Sequence, residues 1–117
     1  MEAATAASGP QHMVALERAN RVRLARAALK RRIAAGDIDT AEVILTCPWE
    51  CETMAVSELL MSQKRWGRTR CRKFITSIGM SEAKTVGSLT ERQRVTLAAL
   101  LTAKAEASRS QERNGRA

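Results

Sequence analysis

Residues 64–79 read KRWGRTRCRKFITSIG, and the first ten carry six cations, one tryptophan, one glycine and no acid. From residue 68 onward the apolar side chains Cys71, Phe74, Ile75 and Ile78 recur at i, i+3, i+4 and i+7, which is one face of an α-helix. The spacing predicts a helix over 68–78, stopped by Gly79, a residue suited to the first position past a helix end. At about 100° per residue, Thr69, Arg72 and Lys73 face away from that stripe and Arg70 lies toward its flank. Cys71, on the stripe, reads as a small core residue.

Like charges at helical spacing repel, so the crowding of Lys64, Arg65, Arg68, Arg70, Arg72 and Lys73 is either a solvated basic face or a seat for something negative. Gly67 stands just before the first helical turn, whose N–H groups lack intrahelical partners and carry the positive end of the helix dipole. A glycine there lets backbone approach a phosphate, and Arg68 adds charge. Arg65, Gly67, Arg68, Thr69, Arg70, Arg72 and Lys73 are therefore the candidate phosphate contacts of the first turn. Trp66 is read as packing on the turn in preference to wedging into a groove.

Outward from this helix the pattern stays helical, with no alternating strand run and no repeat. A long basic helix is predicted over 13–36, with Val22, Ala25, Leu29 and Ile33 as a narrow apolar stripe and Arg23, Arg26 and Lys30 as a cationic ridge beside it. Gly36 stops it. A short helix follows Asp39 or Thr40, with Asp39 as its cap, and is ended by Pro48. A third covers about 56–62 with Val56, Leu59 and Leu60 inward. After the 68–78 helix and a connector MSEAKTVGSL, Thr90 and Gln93 form a capping box that opens a fifth helix with Leu97, Leu100 and Leu101 inward. The fold class is all-α: a disordered tail over 1–12, the long helix over 13–36, a helical domain over 37–104 and a polar tail over 105–117.

The chain of 117 residues has room for one small domain. Its net charge of +8 and pI near 10.5 favour a polyanion, with nucleic acid first and anionic membrane second. The charge is sorted: cations crowd 18–32, none occurs over 33–63, where the six acids Asp37, Asp39, Glu42, Glu50, Glu52 and Glu58 lie, and the basic run resumes at Lys64. Such sorting suits a molecule with one cationic face. No stretch reaches the roughly 18 apolar residues of a membrane span, and residues 1–12 lack an export signal, so a cytoplasmic location is expected.

Three cysteines read as reduced thiols. Cys47 and Cys51 in CPWEC could supply two zinc ligands, but four are needed and the single histidine, His12, lies in the tail segment. No catalytic residue, metal site, cofactor or small-molecule substrate is assigned. With one Phe, two Trp and no Tyr there are few platforms for stacking on single strands.

The succession RANRVRLARAALKRRI, TMAVSELL, WGRTRCRKFITSIGMSE and VGSLTERQR, over about residues 18–101, resembles the actinobacterial, mycobacterial-type integration host factor family. The resemblance implies a long N-terminal helix followed by a helix-two-turn-helix domain similar to that of a small-subunit ribosomal protein. It further implies binding of double-stranded DNA with little sequence preference, nucleoid organisation, and assistance to phage site-specific integration, with a recombinase as second partner. The family's first turn carries two glycines, as G-h-G-K. Here Arg65, Trp66, Gly67 and Arg68 stand at those positions, so only the second glycine is kept. In the second turn, where the family carries several arginines before G-L-G, Lys84 is the one matching cation. Two alternatives stay open, an RNA-binding protein of ribosomal type and a phage-encoded protein-interaction adaptor; a base-excision glycosylase sharing this turn is the least supported reading, since it would need an N-terminal catalytic amine beside acids, and no enzyme is expected.

Overall fold

The computed structural model describes the backbone of residues 2–116 and the side chains of residues 11–111. Over this range the chain forms α1 (Glu2–Ala34), α2 (Thr40–Thr46), α3 (Val56–Met61), α4 (Arg68–Ser77) and α5 (Glu91–Arg116), with 3₁₀ turns at Trp49–Cys51 and Val86–Ser88. The architecture is all-α, as expected: a long first helix, then a helix-two-turn-helix body. The N-terminal end differs from the sequence reading, and the C-terminal polar segment carries the end of the last helix. Helix α1 begins at Glu2, within the segment read as a tail, and α5 runs to Arg116 through the polar segment 105–117. Both segments are rich in alanine, the strongest helix former; a lack of large apolar side chains removes packing partners, not helical propensity.

One continuous core holds the body together. Leu29 and Ile33 of α1, Val43 and Ile44 of α2, Met54, Val56, Leu59 and Leu60 around α3, Cys71, Phe74 and Ile75 of α4, and Leu97, Ala98 and Leu101 of α5 are all buried. Helix α2 packs on α5, α3 on α4, and α1 on the 3₁₀ turn at Trp49–Cys51. The periodic residues of α4 lie where their spacing puts them, with Ile78 half-buried at the edge. On α5, Leu97 and Leu101 are inside but Leu100 is exposed, and the small Ala98 takes the inward position. Among the described side chains of α1, those from 11 to 21 are exposed, including Met13, Val14 and Leu16, and the buried ones, Leu29 and Ile33, lie near its C-terminal end. A 33-residue helix is about 50 Å long, so α1 contributes to a molecule 73 × 29 × 24 Å in extent.

The joints follow from local chemistry. Asp39 caps α2, its carboxylate accepting from the Ala41 N–H at 3.3 Å. Cys47 ends that helix in the left-handed region (φ 45°), its N–H donating to the Val43 carbonyl at 2.8 Å, one residue before Pro48. At α5 the Thr90 hydroxyl accepts from the Gln93 N–H at 3.1 Å while the Gln93 side chain accepts from the Thr90 N–H at 3.0 Å, which is the capping box read from the sequence. Two loops are strapped by backbone bonds from Val56 to Lys84, Val86 to Met54 and Gly87 to Glu52, at 2.8–3.0 Å. A Cβ on Gly87 would lie 2.6 Å from the Glu52 carbonyl oxygen, so this approach requires glycine.

Candidate nucleic-acid interface

The first turn runs from the end of α3 to the start of α4. Arg65 adopts φ 72°, in the left-handed region that favours glycine, and Gly79 beyond α4 has the same φ. Gly67, by contrast, is extended (φ −86°, ψ 178°), and a Cβ there would meet nothing within 4 Å. Neither conformation nor internal packing demands a glycine at 67, and an external group approaching the backbone would. The start of α4 has no side-chain cap, so its first N–H groups face outward unclaimed by a capping side chain.

Around this helix start Arg65, Arg68, Thr69, Arg70, Arg72 and Lys73 are all exposed. Arg72 donates to Glu82 at 2.6 Å in an ion pair that is itself exposed, and such pairs contribute little and exchange readily. The Arg70 guanidinium lies over the Trp66 ring, 4.4 Å from its centroid, and Trp66 meets Phe74 edge-to-face at 5.3 Å. Trp66 is thus half-buried packing for the turn, as its sequence context suggested. Lys84 in the second turn is half-buried, and its carbonyl takes part in the strap to Val56.

The α1 ridge is engaged differently. Arg26 donates to the Glu50 carbonyl at 2.8 Å and to the Thr53 hydroxyl, and Lys30 forms an ion pair with Glu58. Both therefore clamp α1 to the body. Arg23 stays exposed and lines a groove of about 690 Å³ with Arg18, Val22, Arg26, Lys30 and Glu58. The turn residues line a different cleft, between α4 and α5, so the two basic sets do not converge on one pocket.

This arrangement of helices has a solved counterpart. A structure of sIHF bound to an 8-bp palindromic DNA matches with a TM-score of 0.66 at 29% sequence identity, over 73% of this chain and 98% of that one. The chain is similar in fold to sIHF. No family model matches the chain, and no curated protein matches it. The match takes in nearly the whole of that chain and leaves about a quarter of this one outside it.

Two cations on the sIHF-like body escaped the sequence reading. Arg94 donates to the carbonyls of Ile44 (2.6 Å), Val86 (3.0 Å) and Leu89 (3.4 Å), joining the end of α2 to the second turn. Lys104 places its ammonium over the Phe74 ring, 5.5 Å from the centroid. Both sit on the stripe of Leu97 and Leu101 at helical spacing, and a cation on an apolar stripe is the signal that marks them.

The thiols and His12 offer no chemistry comparable to this surface. Burial, with Glu50 and Cys47 nearby, pushes the Cys51 thiol up to about 11. Burial and then Glu82 raise that of Cys71. Both are held as thiols near neutral pH, and a thiol is a poor nucleophile and metal ligand. His12 is exposed on α1, and among the described residues no three His, Cys, Asp or Glu side chains group as a metal site. Met1, whose amine the glycosylase reading needs, lies outside the described residues. No described helix is long and apolar enough to cross a membrane.

Proposed function

We infer that the protein is a non-enzymatic, architectural DNA-binding protein of integration host factor type, which holds double-stranded DNA by its phosphates. The observation that carries this reading is the uncapped start of α4, with an exposed glycine that the fold does not require, ringed by Arg68, Thr69, Arg70, Arg72 and Lys73. The likeness to sIHF, whose structure holds DNA, supports it. Backbone N–H groups and flexible cations recognise phosphate without reading bases, so the reading entails little sequence preference. Arg26 and Lys30 hold α1 in place, while Arg23 is available to a phosphate. The role in site-specific integration that the resemblance implies follows as the finer proposal, and stimulation of a recombinase reaction in a purified assay tests it.

Binding measured against salt on several unrelated duplexes tests the main reading. If Arg23, Arg65, Arg68, Arg70, Arg72, Lys73 and Lys84 each neutralise one phosphate, log affinity falls against log salt with a slope of about −6. A slope near zero, or affinity confined to one sequence, refutes it. Structured RNA that outcompetes duplex DNA at equal salt supports the ribosomal-type alternative instead.

A further inference from the structure

The cations of the body divide by what holds them. Arg26, Lys30, Arg72 and Arg94 meet carboxylates, a hydroxyl or backbone carbonyls of the protein. Arg70 and Lys104 are instead placed over the rings of Trp66 and Phe74. An aromatic face orients a cation without cancelling its unit charge. These two cations meet in one cleft of about 550 Å³ between α4 and α5, which Lys73 also lines, with Thr69 and Ser77 as the hydroxyls. Among the described residues no carboxylate lines it. Three cations sharing a cleft with no acid, two of them oriented by rings, form a seat prepared for an anion.

We propose that the α4/α5 cleft seats phosphates of one DNA strand, with Arg70, Lys73 and Lys104 as donors and Trp66 as the positioning residue that orients Arg70. The proposal rests on the DNA-binding reading above and extends its footprint from the first turn to α5. Continuity with the helix start favours a polymer as the occupant. Thr69 lies in the first turn of α4 and also lines the cleft. Lys73 stands one turn further, about 6 Å along the helix, which is comparable to the separation of successive phosphates along one strand. A strand with one phosphate at the start of α4 thus brings the next toward Lys73, in the cleft that Lys104 also lines. The T-shaped contact of Trp66 with Phe74 fixes the plane on which Arg70 rests, so less side-chain freedom is lost when its donors meet a phosphate.

Fluorescence of a Trp49→Phe protein provides the test, because Trp66 is then its single tryptophan. Adding duplex should change the Trp66 emission with the same midpoint as binding measured by anisotropy of labelled DNA. Lys104→Ala should weaken every duplex about five- to tenfold near 0.1 M salt and flatten the salt slope by about 0.9. Trp66→Leu should weaken binding while leaving the number of cations unchanged, and circular dichroism checks that both variants stay folded. A wild type that fails to bind duplex defeats the DNA reading itself. A wild type that binds steeply with salt, beside a folded Lys104→Ala of equal affinity and slope, overturns the cleft alone. So does a mononucleotide that saturates the Trp66 signal at concentrations where duplex leaves it unchanged, since the cleft would then be a small-molecule site.

Discussion

Replacing Arg65 by glycine should leave the protein more stable than replacing it by alanine, although both remove a side chain that interacts with its surroundings. Arg65 holds φ 72°, where a residue with a Cβ pays roughly 1–2 kcal/mol in steric conflict. Glycine escapes that conflict but loses about 0.5–1 kcal/mol more backbone entropy on folding. The difference leaves glycine ahead of alanine by up to about 1.5 kcal/mol, at roughly 4–8 °C in Tm per kcal/mol for a small domain. Arg65→Ala is the matched control: it deletes the same charge and contacts but keeps the strained backbone. The measurement is thermal unfolding followed by circular dichroism, and the quantity that matters is the Tm of Arg65→Gly minus that of Arg65→Ala. Gly79, at the same φ, supplies the reverse experiment, since Gly79→Ala should lose at least about 1 kcal/mol. Both Arg65 variants should bind DNA more weakly than wild type and equally to each other, because the charge is the same in both. If Arg65→Gly melts at or below Arg65→Ala, the turn is not strained and the argument from φ fails. Strain retained at an exposed cation is understandable if the cation serves the site.

Arg94→Met should lower stability by about 3 kcal/mol, measured by denaturant unfolding, because one guanidinium bonds three carbonyls and its loss leaves part-buried acceptors unpaired; Arg94→Lys should recover only part of this, lacking the planar fork. Gly87→Ala should cost about 1–3 kcal/mol in the same assay, since its Cβ would press on Glu52 at 2.6 Å. The Cys51 thiol ionises near 11 in the folded protein against an ordinary value of 9.0, so the unfolded state releases its proton first. The stability that this thiol contributes is therefore complete below about pH 9 and declines between 9 and 11; unfolding midpoints across that range should fall more steeply than those of Cys51→Ala. Alkylation of the native protein at neutral pH, read by mass spectrometry, should modify the half-buried Cys47 well before the buried Cys51 and Cys71.

Much of the body was legible because its signals are local. The apolar period of 71, 74, 75 and 78, the Asp39 cap and the Thr90–Gln93 capping box each act within one or two turns of helix, and all reappear in the structure. The exposed set Thr69, Arg72 and Lys73 followed from the same period, since a helix with one buried face has no choice about where its other side chains point. Helix ends were less legible. Segments without large apolar side chains continue α1 and α5 at both ends, so a reading keyed to apolar residues gave them little weight.

The sequence by itself determined that the protein is helical, where its cations cluster and which of those on α4 must face solvent, because charge and helical period are properties of neighbouring residues. Only the tertiary structure decided which cations remain available. Arg26 and Lys30 meet Glu50, Thr53 and Glu58 across more than twenty residues of chain, Arg94 reaches back fifty residues to Ile44, and Lys104 arrives over Phe74 from α5. Whether a cation is paired with an acid, bonded to a carbonyl or set on an aromatic ring depends on contacts between distant segments, and no periodicity within one helix encodes them.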